Sequence, residues 1–328
     1  MRGRAAICAF LAAALVCSCS PHRGSRTDGC QLSDNVREFP VLKVPSIYTS
    51  PEDRLKYACG HYWDEFLTVS SAWRCDSLTI DGVPVQTVEE HFATYVKMLE
   101  QVDSGIAREG MASLFRKVEA KQLSDSLSNV YGSFASMAEK YLYDPNSPYR
   151  DEEIFLPYVQ GLASSPLSSE ALRPSYGHEV EVCSTNRIGG KAPDFEFKDI
   201  AGRTHTLYGV EGEYTLLFFS NPGCEACRTI VETIEGNLGL EWMMENGQLS
   251  IVNVYIDEDI DAWKAYQDFY PENWLNGYDP TYSIRQELKY CVRAIPSLYL
   301  LDSEKRILLK DAPENRAFAY LDAVRRKQ

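Results

Sequence analysis

The tetrapeptide Cys224-Glu225-Ala226-Cys227 constrains this chain more than any other feature. It follows an apolar run, Tyr214-Thr215-Leu216-Leu217-Phe218-Phe219, and the turn-forming Ser220-Asn221-Pro222-Gly223. Behind it Ile230, Val231, Ile234 and Leu238 recur with helical spacing. The pattern predicts a buried strand, a tight loop, two cysteines and a helix. Two thiols separated by two residues at a helix start are near enough to close a small disulfide ring. The free N–H groups and the positive dipole end of the helix favour a thiolate on the first cysteine. A thiolate attacks disulfides and a thiol barely does, so the arrangement predicts a redox-active dithiol. Two blander arrangements use the same residues. A zinc site needs four ligands, and the chain has no second CxxC and no paired histidines. A structural disulfide across so short a ring removes little unfolded-chain entropy and stabilises weakly.

The start of the chain predicts targeting rather than structure. Arg2 and Arg4 precede an apolar stretch over 5–16, too short to span a bilayer as a stable helix. Leu15-Val16-Cys17-Ser18-Cys19 resembles a bacterial lipoprotein signal, which implies cleavage before Cys19 and its acylation. Cys19 fits better than Cys17, because the small Ser18 precedes it. The alternative is an ordinary secretory signal with incidental cysteines. Either leads the mature chain out of the cytoplasm, where disulfide chemistry is permitted. The expected layout is a signal peptide over 1–18 and a flexible polar linker over 19–35. Ser20-Pro21-His22-Arg23 lacks an acidic run, which favours a periplasm-facing position for the lipid-anchored protein.

Net charge is −14, from 33 Lys and Arg against 47 Asp and Glu. That opposes nucleic-acid binding, which needs clustered positive charge, and argues against an electrostatic grip on anionic lipid. Ten cysteines need accounting. Cys8 and Cys17 would leave with the signal, and Cys19 would carry lipid. Cys30, Cys59, Cys75, Cys183 and Cys291 remain beside the CxxC, an odd set whose pairing the spacing leaves open.

Two regions follow the linker. Over 36–186 the periodicity is helical, predicting an all-α domain. Pro51 opens a helix through Tyr57, Ala58, Tyr62, Trp63 and Phe66. Thr87 and Glu90 form a capping-box pattern before a stripe of Phe92, Tyr95, Val96 and Leu99. Further helices are expected over 106–122, 127–142, 151–161 and 173–183, with a polar irregular stretch over 68–86. His61 and Asp64 are expected to be solvated, with Tyr62, Trp63 and Phe66 in the core. After Gly189-Gly190 the pattern changes. A hairpin is expected over 194–208 and strands over 214–219, 249–256, 297–301 and 306–309. Helices are expected after the CxxC and over 261–269, 282–288 and 315–325. This predicts an α/β region over 190–328, a central mixed sheet flanked by helices.

Three segments of that region resemble the thioredoxin-like domains of envelope-anchored thiol–disulfide oxidoreductases. Lys191-Ala192-Pro193-Asp194-Phe195 is similar to the opening motif of that group and of peroxiredoxins. Residues 218–227 resemble the active-site loop. Ala294-Ile295-Pro296-Ser297-Leu298-Tyr299-Leu300-Leu301-Asp302 resembles the segment carrying a cis-proline. The resemblance implies a thioredoxin-like fold, Cys224 as nucleophile, Cys227 as resolving cysteine, and Pro296 facing the dithiol. It also implies that Ile295 offers backbone hydrogen bonds to a bound client peptide. Two positions depart from the pattern: Gly223 replaces the usual aromatic residue, and Glu225-Ala226 replaces Gly-Pro or Pro-His. A carboxylate beside the thiolate disfavours it while the helix end favours it. The helical region resembles a domain of unknown function that precedes thioredoxin-like domains in bacterial envelope lipoproteins. Tyr62-Trp63-Asp64-Glu65-Phe66 and residues 139–150 carry that match.

The expected activity is thiol–disulfide exchange with protein clients, recharged by an unidentified redox partner, with no organic cofactor and no metal. The alternatives are an envelope protein- or peptide-binding module with a structural or vestigial CxxC, and a thiol peroxidase. Against the peroxidase, Asn221 rather than a threonine lies three residues before Cys224.

Overall fold

The computed structural model describes residues 36–68 and 77–327. The leader, the linker, Cys19, Cys30 and Cys75 lie outside the described residues.

The first half is helical. Its elements are α1 (Pro51–His61), α2 (Asp64–Thr68), α3 (Val85–Leu99), α4 (Ser104–Ser124), α5 (Val130–Ala138), α6 (Glu152–Ser164) and α7 (Arg173–Ser184). Local chemistry starts several of them. Pro51 opens α1 behind Ser50, whose hydroxyl accepts from the Asp53 N–H. Asp103 caps α4, and Asp151 caps α6 by accepting from the Glu153 and Ile154 N–H groups. The predicted stripe of α3 is buried, and Trp63, Phe66, Phe92 and Phe134 interlock around it, with Trp63 and Phe134 centroids 4.8 Å apart. His61 and Asp64 stay half-exposed and pair with each other at 2.7 Å.

Several boundaries differ from those the pattern predicts. The stretch read as irregular holds a minimal antiparallel ladder, β1 (Thr79–Ile80) with β2 (Val83–Pro84). Asp81 and Gly82 turn it at positive φ, as a two-residue hairpin requires. Thr87 does not cap α3. The helix begins at Val85 behind Pro84 with no side-chain cap, and the Leu78 carbonyl across the hairpin accepts the Val85 N–H, one of the N–H groups a helix start leaves free. The helix expected over 127–142 ends at Ala138 and continues as a π-helical turn, Glu139–Tyr143.

The second half is a mixed sheet of seven strands. In chain order these are β3 (Glu196–Asp199), β4 (Thr204–Thr206), β5 (Tyr214–Phe219), β6 (Leu249–Tyr255), β7 (Leu275–Tyr278), β8 (Ser297–Asp302) and β9 (Ile307–Leu309). Their spatial order is β4-β3-β7-β6-β5-β8-β9. β5, β6 and β7 run parallel, while β8 and β3 pair antiparallel on either side. β5 is a continuous apolar run because both faces are covered. Leu216 and Phe218 face one core with α8 (Glu225–Glu235), α9 (Leu238–Glu245) and α12 (Glu314–Arg325); Leu217 and Phe219 face another with Phe195, Phe197 and Tyr290. Two short helices, α10 (Ile260–Ala265) and α11 (Ser283–Gln286), complete the connections.

Here too the sequence pattern falls short in places. The helix after the CxxC stops at Glu235, and Asn237 caps a new one, so Leu238 is 78% exposed rather than on the buried stripe. β7 carries no apolar alternation. At its Gly277 a Cβ would meet Phe197 Cδ2 at 2.5 Å, so close approach of β3 and β7 excludes a side chain there.

The described residues form one compact unit, and a charged seam joins the halves. Four successive residues at the start of α6 carry it. Arg150 Nε and Nη2 donate to the carbonyls of Asp311 and Ala312 at 2.8 and 3.2 Å. Asp151 pairs with Arg316. Glu152 pairs with Arg293 at 2.9 Å and Lys310 at 2.6 Å, and Glu153 with Arg187 at 2.5 Å. Asp151, Glu152, Glu153, Lys310 and Asp311 are buried. Such dry pairs repay their own desolvation at best, but they are strict about geometry.

Candidate functional site

β5 delivers the chain to the site at the end of the sheet. Its last residue, Phe219, pairs with Ser297, the first residue of β8. The loop after β5 and the segment before β8 therefore lie at the same sheet end. Asn221, Pro222, Gly223 and Cys224 make a tight turn in which the Cys224 N–H donates to the Asn221 carbonyl at 3.3 Å. Gly223 has φ 73°, and Pro-Gly is the pair a turn with positive φ at its third position favours. The departure from the family's aromatic residue thus has a local backbone reason.

Cys224 is the N-cap of α8, and its Sγ accepts from the Cys227 N–H at 3.2 Å. Cys224 is half-exposed, whereas Cys227 is 3% exposed and packs with Ile230, Val231 and Leu298. The two are joined as a disulfide with Cα atoms 5.2 Å apart. Glu225 points into solvent beside them, paired loosely with Arg228, whose guanidinium lies over the Phe269 ring. Exposure lets solvent screen the Glu225 charge, which blunts its effect on the neighbouring sulfur.

The Ile295–Pro296 peptide is cis. Ile295 packs against the same cluster as Cys224 and Cys227, so the structure brings together Cys224, Cys227, Ile295 and Pro296 at one sheet end.

Polar residues that the sequence motifs do not single out hold the loop. Ser220 Oγ donates to Asn253 Oδ1 at 2.5 Å, and Asn253 Nδ2 donates to Asn276 Oδ1 at 3.1 Å. Asn221 Nδ2 donates to Asp257 Oδ2 at 2.6 Å, and Asp257 also pairs with Arg285. The signal for Asn253 is in the sequence, one amide in the apolar middle of the Leu249–Tyr255 strand, between Val252 and Val254.

The remaining described thiols differ in kind. Cys59, Cys183 and Cys291 are free. Burial pushes the Cys59 thiol up to about 11 and raises those of Cys183 and Cys291. None of the three offers a ready thiolate, whereas Cys224 has a helix N-terminus and solvent access. Among the described residues no group of three or more His, Cys, Asp or Glu side chains is placed to hold a metal ion. None of their helices is long and apolar enough to cross a membrane.

In the reduced protein, a limiting amount of iodoacetamide is expected to label Cys224 well before Cys227. Peptide mass spectrometry over a time course reads this directly, and equal or reversed labelling contradicts the assigned exposures.

Comparison with known proteins finds two families in succession along the chain. Residues 18–186 match a domain of unknown function, DUF5106, and residues 188–309 match the AhpC/TSA family. A thioredoxin-like protein from Bacteroides caccae is 31% identical, covers 88% of this chain and 99% of its own, and superposes with a TM-score of 0.75. The C-terminal domain of an uncharacterized protein from Bacteroides fragilis is 39% identical over 42% of this chain and 98% of its own, with a TM-score of 0.41. The thioredoxin domain of a thiol-disulfide oxidoreductase from Bacteroides vulgatus is 23% identical over 41% of this chain and 98% of its own, with a TM-score of 0.35. No curated protein matches the chain. With a cysteine pair at the head of α8, a central mixed sheet and a relative of the same build over 88% of the chain, the chain belongs to the thioredoxin-like proteins, its AhpC/TSA domain preceded by a DUF5106 domain.

Proposed function

We propose that this protein is a thiol–disulfide oxidoreductase that exchanges disulfides with protein clients, tethered by lipid at Cys19 to the bacterial envelope and facing the periplasm. The observation that carries the chemistry is the half-exposed Cys224 Sγ at the α8 N-terminus, accepting the Cys227 N–H at 3.2 Å, with Cys227 buried behind it. A sulfur in that position receives the partial positive charge of the helix end, and developing negative charge on it is stabilised.

The cycle starts from the reduced dithiol. The Cys224 thiolate attacks one sulfur of a client disulfide, forming a mixed disulfide and releasing the other client sulfur as a thiolate. Cys227, deprotonated, then attacks Cys224 Sγ. The Cys224–Cys227 bond forms, the mixed disulfide breaks, and the second client thiolate leaves. Two electrons pass to the client, and a dithiol-bearing redox partner must reduce the enzyme again. The Ile295 backbone, beside Cys224, offers a pairing edge to an extended client segment. Turnover of insulin, with dithiothreitol as electron source, tests the proposal. Precipitation of insulin chains no faster than with dithiothreitol alone defeats it.

The competing chemistry is peroxide reduction. Asn221, tied to Asp257, occupies the position three residues before Cys224 and brings no hydroxyl there. Peroxide consumption by the reduced protein at a rate above its insulin turnover would reverse the choice.

Anchoring has its own test. Cys19→Ala is expected to move the protein from the membrane to the soluble fraction. Unchanged retention, with no lipid on Cys19 by mass spectrometry, removes the tether from the proposal.

A further inference from the structure

The Ile295–Pro296 segment is held at both ends by the helical half. Upstream, Arg293 Nε donates to Glu152 Oε1 at 2.9 Å and Nη1 donates to the Tyr143 carbonyl at 2.6 Å. Its guanidinium lies 4.0 Å from the centre of the Tyr143 ring, which itself stacks on Phe155 at 5.0 Å. Downstream, Ser297 Oγ donates to Asp311 Oδ1 at 2.7 Å. Asp311 faces Arg150 at 3.8 Å and Arg293 at 3.5 Å, and Arg150 also binds the backbone carbonyls of residues 311 and 312. Tyr143, Arg150 and Glu152 all belong to the first half, and Arg293, Ser297 and Asp311 to the second.

These contacts are dry. The side chains of Glu152, Asp311, Arg150 and Arg293 are 3%, 5%, 10% and 13% exposed. In low dielectric, charge-assisted hydrogen bonds are short, strong and directional, so they fix the groups they join. Arg293 and Ser297 flank Ile295 and Pro296 by one or two residues, too short a span to move while its ends are fixed. A binding edge is productive only when its supporting contacts keep it within a fraction of an ångström.

We infer that Glu152, Arg150 and Tyr143 are positioning residues for the client-binding segment of the dithiol site, so that the DUF5106 half sets how tightly clients engage. The inference rests on the proposed exchange with protein clients. It assigns the helical half a part in the reaction, whereas a separate recognition module would leave Ile295 and Pro296 untouched.

The test uses the full chain and two disulfides of different size. Insulin needs a docked strand; 5,5′-dithiobis-(2-nitrobenzoate) needs only an accessible Cys224 thiolate. For Glu152→Gln and for Tyr143→Ala, KM for insulin is expected to rise at least fivefold. The rate with the small disulfide should stay within twofold of wild type. Tyr143→Phe keeps the ring and the carbonyl and should behave as wild type. Amide hydrogen exchange gives a readout independent of turnover. Exchange in a peptide covering 291–300 should rise at least tenfold in Glu152→Gln, with a peptide covering 225–235 unchanged. Equal losses on both disulfides, unchanged insulin KM, or unchanged exchange at 291–300 overturns the inference. Failure of wild type to reduce insulin counts against the proposed function instead, and the exchange result then decides the positioning role by itself.

Discussion

Cys224→Ala is expected to abolish insulin reduction, and Cys227→Ala to stop the cycle one step later. The two cysteines are unequal in the structure. Cys224 is half-exposed at the N-terminus of α8, and Cys227 is buried one turn behind it. Without Cys224 the site keeps only Cys227, 3% exposed, and of the described free thiols Cys59 and Cys183 are buried, Cys291 is half-buried, and all three have raised pKa values. The loss should reach at least about 10³-fold, equivalent to about 4 kcal/mol of barrier. Without Cys227 the first attack still occurs, but the mixed disulfide has no internal sulfur to resolve it. Clients should then accumulate on Cys224 as species that run high in non-reducing gels and collapse on adding dithiothreitol. Mass spectrometry of those species would name the clients. Residual turnover in Cys224→Ala above about a tenth of wild type would show that another thiol carries the chemistry. A Cys227→Ala protein that traps nothing from an envelope extract would count against exchange with protein clients.

Glu152→Ala should destabilise the fold by about 3–5 kcal/mol, the usual cost of stripping one partner from a buried ion pair. Glu152 is the only carboxylate within 3 Å of both Arg293 and Lys310 among the described residues. Burial works against the Arg293 charge, yet Glu152 and Asp311 outweigh it and hold its pKa above the ordinary value. Arg293 would keep Asp311 at 3.5 Å and the Tyr143 carbonyl, whereas Lys310 would keep only the backbone carbonyls of Val182, Cys183 and Thr185 and no carboxylate among the described residues, so most of the cost falls on Lys310. A loss of that size is a large part of the 5–15 kcal/mol that typically separates native from unfolded chains. Urea unfolding measures it as a lower midpoint at unchanged slope. Glu109→Ala is the control. Its pair with Arg116 is mostly exposed, and the change should stay within about 0.5 kcal/mol. A Glu152→Ala protein within about 1 kcal/mol of wild type would mean that water enters the seam and replaces the carboxylate.

The sequence carried the local part of the site. A continuous apolar strand, a Pro-Gly turn and a cysteine at a helix start are contiguous features governed by backbone preference and burial, so spacing exposes them. The same holds for the α3 stripe and the aromatic core around Trp63, where one helical period decides which side chains are inside. The misses have physical reasons. Asn237 restarts the helix after the CxxC because a side-chain cap can satisfy N–H groups anywhere an Asn occurs, whatever the apolar period says. β7 hides because Gly277 is there to let β3 approach, a requirement of a neighbour distant in sequence. Asn253 was visible as an amide in the apolar middle of a strand, but its partners Ser220 and Asn276 were not.

What only the tertiary structure decided is the seam. In sequence, Arg150-Asp151-Glu152-Glu153 is an unremarked charge run at a helix start, and such runs are usually solvated. Folding places it against Arg293, Lys310 and Arg316, more than a hundred residues away, and removes water from most of the contact. The worth of a charge depends on its dielectric surroundings and its partners, and neither is a property of the residue or its neighbours in the chain. The dithiol was therefore legible one residue at a time, while the grip of the helical half on the segment beside it exists only once the chain is folded.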